Sequence, residues 1–323
     1  MSFAPPCASS LAIDCIAAGK LYTCIMSLPD DAIAIADHVI WEQGPGGLRQ
    51  LRLCSAAGSA VVTLHGAHVT EFAPAGMASL LWLSGQSHWQ VGKAIRGGIP
   101  LCWPWFGPWS GPDERPAHGF ARICEWQPVA SALLADGRVR LDLRLPIPPA
   151  YAQWLTAGVG AELSIIVGAE LELSLQTVHS GSEPVALSDA LHSYFTVGDV
   201  HQVAVDGLDG CTYVDQCAQG ALRVQDGAVT FRAETDRVYA DRGPSTVLRD
   251  GSTGRRIRIS KSGSGSTVVW NPWVAKAQRM ADFADDEWPS MVCVETANCL
   301  DNRFLLLPGN RHHTTLRIAC EQE

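Results

Sequence analysis

The chain alternates. In "GRVRLDLRLP" the apolar Val139, Leu141, Leu143 and Leu145 take every second place among Arg138, Arg140, Asp142 and Arg144. A period of two sends successive side chains to opposite faces of an extended strand. The segment therefore reads as an antiparallel strand with one apolar face and one wet face. "AELSIIVGAELELSLQTVH" (161–179) gives two more such strands with Gly168 at the turn. "RRIRIS" (255–260), "STVVWN" (266–271), "SMVCVE" (290–295) and "TTLRIAC" (314–320) continue the rhythm. Turn clusters separate them, among them "GPGG" (44–47), "SGSGS" (262–266) and the "DG" pairs at 136, 226 and 250. Many short strands between turns predict an all-β fold, a large sandwich of mostly antiparallel strands with very few short helices. "NPWVAKAQRMADF" (271–283) is the best candidate for a short helix.

No Pro- or Ser-rich linker and no fixed-period repeat divides the 323 residues. Residues 26–323 are expected to form one domain. Residues 1–25 are mildly apolar but lack the basic start of a signal peptide, and Met26 opens a segment that reads like an ordinary beginning. They are read as an N-terminal extension, expected to be poorly ordered. The 11 cysteines form no C-x-x-C pair and no zinc-like spacing, so they read as reduced thiols of a cytoplasmic protein.

Lys and Arg number 24 against 33 Asp and Glu, a formal charge of −9. That balance gives no general attraction to nucleic acid or to an anionic membrane. An anionic ligand must be held by a few placed cations.

Three stretches break the strand rhythm. In "AIRGGIPLCWPWFGPWSGP" (94–112), Gly97 and Gly98 let backbone approach something closely. Trp103, Trp105, Phe106 and Trp109 offer flat surfaces suited to a sugar ring, although each alone reads more simply as a buried corner. Arg96 beside this apolar loop is either solvated or paired. In "AHGFAR" (117–122), His118 and Arg122 flank Gly119 and can face one cleft, with a loop-capping histidine as the plain alternative. The third set is dispersed. His192 lies in "ALHSYF", Asp236 in "ETDRVY" and Glu295 in "VETAN". A carboxylate in a strand that buries its neighbours is costly unless paired or shifted in pKa, which also describes a tuned general base. An ion pair with Arg237 is the local alternative for Asp236. His65 and His68, three apart in "HGAH", are expected on opposite faces of a strand and not on one metal. No P-loop, dinucleotide fingerprint or nucleophile elbow is present.

Taken in order, "RGGIPLCWPWFGP", "HGFAR", "ALHSYF", "DRVY", "VVWNPW" and "DDEWPSMVCVETAN" resemble the hexose-6-phosphate mutarotases of the aldose 1-epimerase superfamily, from about Met26 to the C-terminus. The resemblance implies a galactose-mutarotase-like β-sandwich with no metal or organic cofactor, acting on the α and β anomers of a hexose 6-phosphate; a monomer is expected. It implies His192 as catalytic acid and Glu295 as catalytic base. Arg96 and Arg122 become substrate and phosphate contacts, with Asp236 as the sugar-hydroxyl partner; His118, from its place beside Gly119, is expected to bind substrate as well. Ala117 stands where the family often has Gln. The competing readings are an aldose 1-epimerase for unphosphorylated sugars and a non-catalytic carbohydrate-binding sandwich. The latter has no need of His192 and Glu295 in one cleft.

Overall fold

The structure is a computed structural model that describes residues 12–17, 20–25 and 29–322. The strands Ala12–Ala17 and Lys20–Ile25 pair with each other alone. The rest of the expected extension lies outside the described residues.

Nine strands form one antiparallel sheet, eight a second and four a third. Inward side chains from all three meet in one contiguous core, including Phe72, Leu141, Leu163, Leu173, Val269 and Val294. The architecture is the expected β-sandwich. The alternation read from the sequence explains the nine-stranded sheet. Val159–Val167 and Leu171–His179 bury every second residue, and Leu163 sits opposite Leu143 on one side and Leu175 on the other. Burying one such Leu or Val face stabilises by about 1.5–3 kcal/mol per side chain.

The eight-stranded sheet departs from that pattern where the chemistry lies. Every residue of Ser266–Asn271 and Met291–Asn298 is buried, because these neighbouring strands are covered on both faces. Glu295 is in the second of them, opposite Val268.

Three short helices occur among the described residues. The predicted helix over 271–283 is shorter than expected, Trp273–Ala277. Asn271 accepts from Trp273 N at its start and ties it to Trp288 O and Met291 O. Beyond it, Asp282 and Phe283 are drawn into tertiary contacts, Asp282 with Arg96 and Phe283 with the Trp82 ring. A continued helix would not reach both.

Candidate active site

Two glycines bring the loops together. Gly97 and Gly98 have φ of 112° and 60°, and a Cβ on Gly98 would stand 2.4 Å from Val69 O and 2.7 Å from His68 Nε2. Glycine is needed there for both reasons. With the backbone so close, Tyr194 N donates to Gly98 O at 2.9 Å and His192 N to Pro100 O at 3.1 Å. These bonds set His192, just after the strand Asp189–Leu191, beside Met291–Asn298. Gly119 does the same for the other loop. Its φ is 74°, and a Cβ would be 2.1 Å from Trp103 O. His118 is thereby held with its ring centroid 5.9 Å from that of His192.

His192 Nε2 lies 3.3 Å from Glu295 Oε1, with side chains 10% and 2% exposed. Among the described residues Glu295 Oε2 and His192 Nδ1 have no hydrogen-bond partner. The His192 ring stacks on Tyr194, with centroids 4.8 Å apart and planes 10° from parallel, and meets the edge of Trp270. Burial pushes Glu295 well above the usual carboxylate range, and the nearby Asp236 charge adds to this. Burial also pushes His192 well below its ordinary 6.5, helped by His118 and Arg122. Each group taken alone is thus driven toward its neutral form.

The other expected residues fall around this pair in unequal states. Arg122 stands in the turn Ala121–Ile123 and donates from Nη2 to Ala117 O at 2.9 Å. Its Nε is buried without a partner, and it is in no ion pair among the described residues. Its charge reaches both Glu295 and His192. Arg96 differs. Its Nε and Nη2 donate to the Asp282 carboxylate at 2.9–3.2 Å, and Nη1 donates to Tyr194 Oη at 2.9 Å. Asp236 is opposite Trp270 in register and faces Lys276 Nζ at 3.4 Å, so its ion pair is with Lys276 and not with Arg237. Burial raises its pKa against the pull of Lys276. Burial lowers His118 to about 3, with Arg122 and Arg96 adding to it, which leaves a neutral ring.

The tryptophans of the first loop are not an exposed platform. Trp103 is fully buried and donates to Thr177 Oγ1 at 3.0 Å; Trp105 donates to Pro116 O. Trp109 lies under the Arg115 guanidinium at 3.8 Å. The aromatic walls near His192 are instead Phe106, Tyr194 and Trp270. His65 and His68 do not share a strand: His68 opens His68–Pro74, whereas His65 precedes it. Each ring is spent on a backbone carbonyl, of Lys93 and of Gly97. The eight cysteines from Cys54 to Cys320 are free. Among the described residues, one group has metal-ligand character, His192, Cys293 and Glu295, whose donor atoms lie within 4.8 Å of one another.

Sequence reasoning missed Asp282 and Lys276. Tyr194 and Trp270 stood inside quoted motifs without an assigned role. No local signal marks Asp282, because its partner is 186 residues away.

A β-sandwich with a buried imidazole–carboxylate pair and converging cations has the makings of a sugar epimerase, and the comparisons agree. The sequence model of the family described as Aldose 1-epimerase matches residues 49–319, and the chain belongs to that family. It is an isomerase of the epimerase class acting on a carbohydrate. A protein of Escherichia coli (strain K12) described as "Putative glucose-6-phosphate 1-epimerase" is 37% identical over 235 residues, 72% of this chain and 78% of the relative. One from Cenchrus ciliaris with the same description is 33% identical over 290 residues, 85% and 86% of the two chains. A Salmonella typhimurium crystal structure described as "a putative mutarotase" superposes with a TM-score of 0.83 at 30% identity, covering 90% of this chain and 96% of that one. A galactose mutarotase-like protein from Clostridium acetobutylicum shares the fold at TM-score 0.66 and 14% identity, covering 88% and 98%. No helix among the described residues is long and apolar enough to cross a membrane.

Proposed function

We propose that residues 26–323 act as one domain that interconverts the α and β anomers of a hexose 6-phosphate, glucose 6-phosphate first, with His192 and Glu295 as the acid–base pair. The observation that carries this reading is the 3.3 Å contact between their functional atoms in a buried site. Anomer exchange begins by opening a cyclic hemiacetal. The base takes the proton from the anomeric hydroxyl while the acid protonates the ring oxygen. The C1–O5 bond breaks, the aldehyde turns about C1–C2, and closure on the other face reverses both transfers. The two oxygens share one carbon, so acid and base must converge, as these two atoms do.

The proton balance fits the pair. Opening converts imidazolium with carboxylate into imidazole with carboxylic acid, and closing restores them. Mutual attraction favours the first arrangement and burial the second. A reversible step runs best when neither dominates. Acid–base assistance of this kind supplies about 10²–10⁴-fold. The scheme uses side chains alone.

Arg122 supports the phosphorylated substrate. Among the described residues it is in no ion pair, and a guanidinium presents a fork of donors to phosphate. The 6-phosphate is remote from C1, so its binding holds the ring in register. The name of the relatives points the same way. Asp236 is assigned to a sugar hydroxyl, with Lys276 beside it, and neutral His118 to a hydrogen bond. Arg96, with its fork already engaged, is assigned to shaping the site through Tyr194 and Asp282.

Polarimetry of freshly dissolved α-glucose 6-phosphate, with a chelator present, tests the reading. Accelerated approach to the anomeric equilibrium is expected. A rate equal to buffer alone contradicts it.

A further inference from the structure

Cys293 and Glu295 are two apart on Met291–Asn298, so their side chains leave the same face of the strand. His192 meets that face from the neighbouring segment. The ligand atoms of the three converge within 4.8 Å, and all three residues are buried. Anomer exchange needs the imidazole and the carboxylate; no step of it needs the thiol.

A nitrogen, a sulfur and an oxygen donor together suit a tetrahedral, borderline-soft divalent cation. Bonds of ordinary length to such an ion put the donors about 3.3–3.6 Å apart. The imidazole and carboxylate are already at 3.3 Å, and Glu295 Oε2 and His192 Nδ1 are buried with no hydrogen-bond partner.

We propose that His192, Cys293 and Glu295 form an inhibitory binding site for a thiophilic divalent cation of the zinc or cadmium class, which occupies the acid–base pair in place of the sugar. The inhibitory part rests on the function proposed for that pair. On binding, the ion forms a bond to sulfur and the thiol proton leaves to solvent. The imidazole and carboxylate supply lone pairs, and a fourth position stays open for water. Among the described residues His192 Nδ1 has no hydrogen-bond partner of the kind that raises ligand basicity in built metal centres, and Arg122 adds like charge. The occupancy is accordingly reversible, an interference with the pair and not a resident centre.

Cadmium titration followed by thiolate-to-metal absorbance is the test, on the full chain and on Cys293→Ser, Cys293→Ala and Glu295→Gln. Other cysteines contribute equally to all four. The wild type is expected to show a component that both Cys293 variants lack and that needs about tenfold or more cadmium in Glu295→Gln. This reading needs no activity, so it stands or falls apart from the function proposed above. In the active proteins, Cys293→Ser should require about tenfold or more cadmium for half-inhibition of anomer exchange. Absorbance that is the same with and without Cys293, or equal inhibition of wild type and Cys293→Ser, overturns the site.

Discussion

Asp282 grips the Arg96 guanidinium with both carboxylate oxygens, and the two side chains are only 18% and 23% exposed. Nη1 is spent on Tyr194, whose ring stacks on His192. The two arginines that the sequence presents as equals are therefore in different electrostatic states: one is neutralised within the protein, the other is not.

Their variants should separate accordingly. Arg122→Ala removes a charge-assisted contact worth about 1.5–3 kcal/mol, so kcat/KM for glucose 6-phosphate should fall roughly tenfold or more, and that for glucose much less. Arg96→Ala leaves Asp282 half-buried and unpaired and frees Tyr194, so it should lower the unfolding temperature and damage both sugars alike. Kinetics with both sugars on both variants decide the matter. A phosphate-selective loss in Arg96→Ala contradicts this division.

The pH dependence follows from one proton shared by two buried groups. From residues alone, the acid limb of the profile belongs to Glu295 and the alkaline limb to His192. Burial reverses the assignment. It holds His192 well below 6.5 and Glu295 well above 4.5, because adding a second proton or removing the last leaves net charge in a dry site. Activity should therefore fall on the acid side as His192 gains its extra proton, and on the alkaline side as Glu295 loses its own. The plateau between them should be wide, with limbs belonging to the coupled pair. Imidazole NMR of the free protein checks this. A His192 ring that titrates near its ordinary 6.5 contradicts it.

A second buried carboxylate gives a stability prediction free of catalysis. Asp189 is fully buried, accepting from Asn298 Nδ2 at 2.9 Å and Thr314 Oγ1 at 2.7 Å, and burial pushes it up to about 6. The folded value exceeds the ordinary 3.8, so the folded state binds this proton more tightly. The stabilising contribution is complete below the ordinary value and is lost as pH rises through about 6. Asp189→Asn cannot titrate. Its unfolding free energy relative to wild type should rise by on the order of 2–3 kcal/mol between about pH 4 and pH 7. Urea unfolding of both proteins across that range is the measurement. Parallel profiles contradict it.

What the sequence made legible was what local pattern encodes. Val139–Arg144 and Val159–Val167 could be read because each keeps one wet face. Gly97, Gly98 and Gly119 could be read because backbone crowding leaves a glycine signature, and their motifs led to Arg96, His118 and Arg122. The depth of Glu295 followed from its apolar neighbours. The Arg96–Asp282 pairing was not legible, because it joins residues 186 apart through a loop whose pattern looks helical. For Trp103 and Trp105 the simpler reading, a buried corner, is what the structure shows, although a stacking surface has the same composition and the choice depends on strands that arrive from elsewhere.

The central claim is that Glu295 and His192 open the sugar ring. Glu295→Gln tests it most directly, since the amide keeps the shape, remains neutral as burial prefers, and cannot take the proton. Magnetisation-exchange NMR on equilibrated glucose 6-phosphate reads the α-to-β rate at equilibrium, with thermal unfolding as the control for folding. A folded variant whose protein-dependent exchange is lower by about 10²-fold or more is expected. A folded Glu295→Gln that exchanges the anomers at the wild-type rate contradicts it.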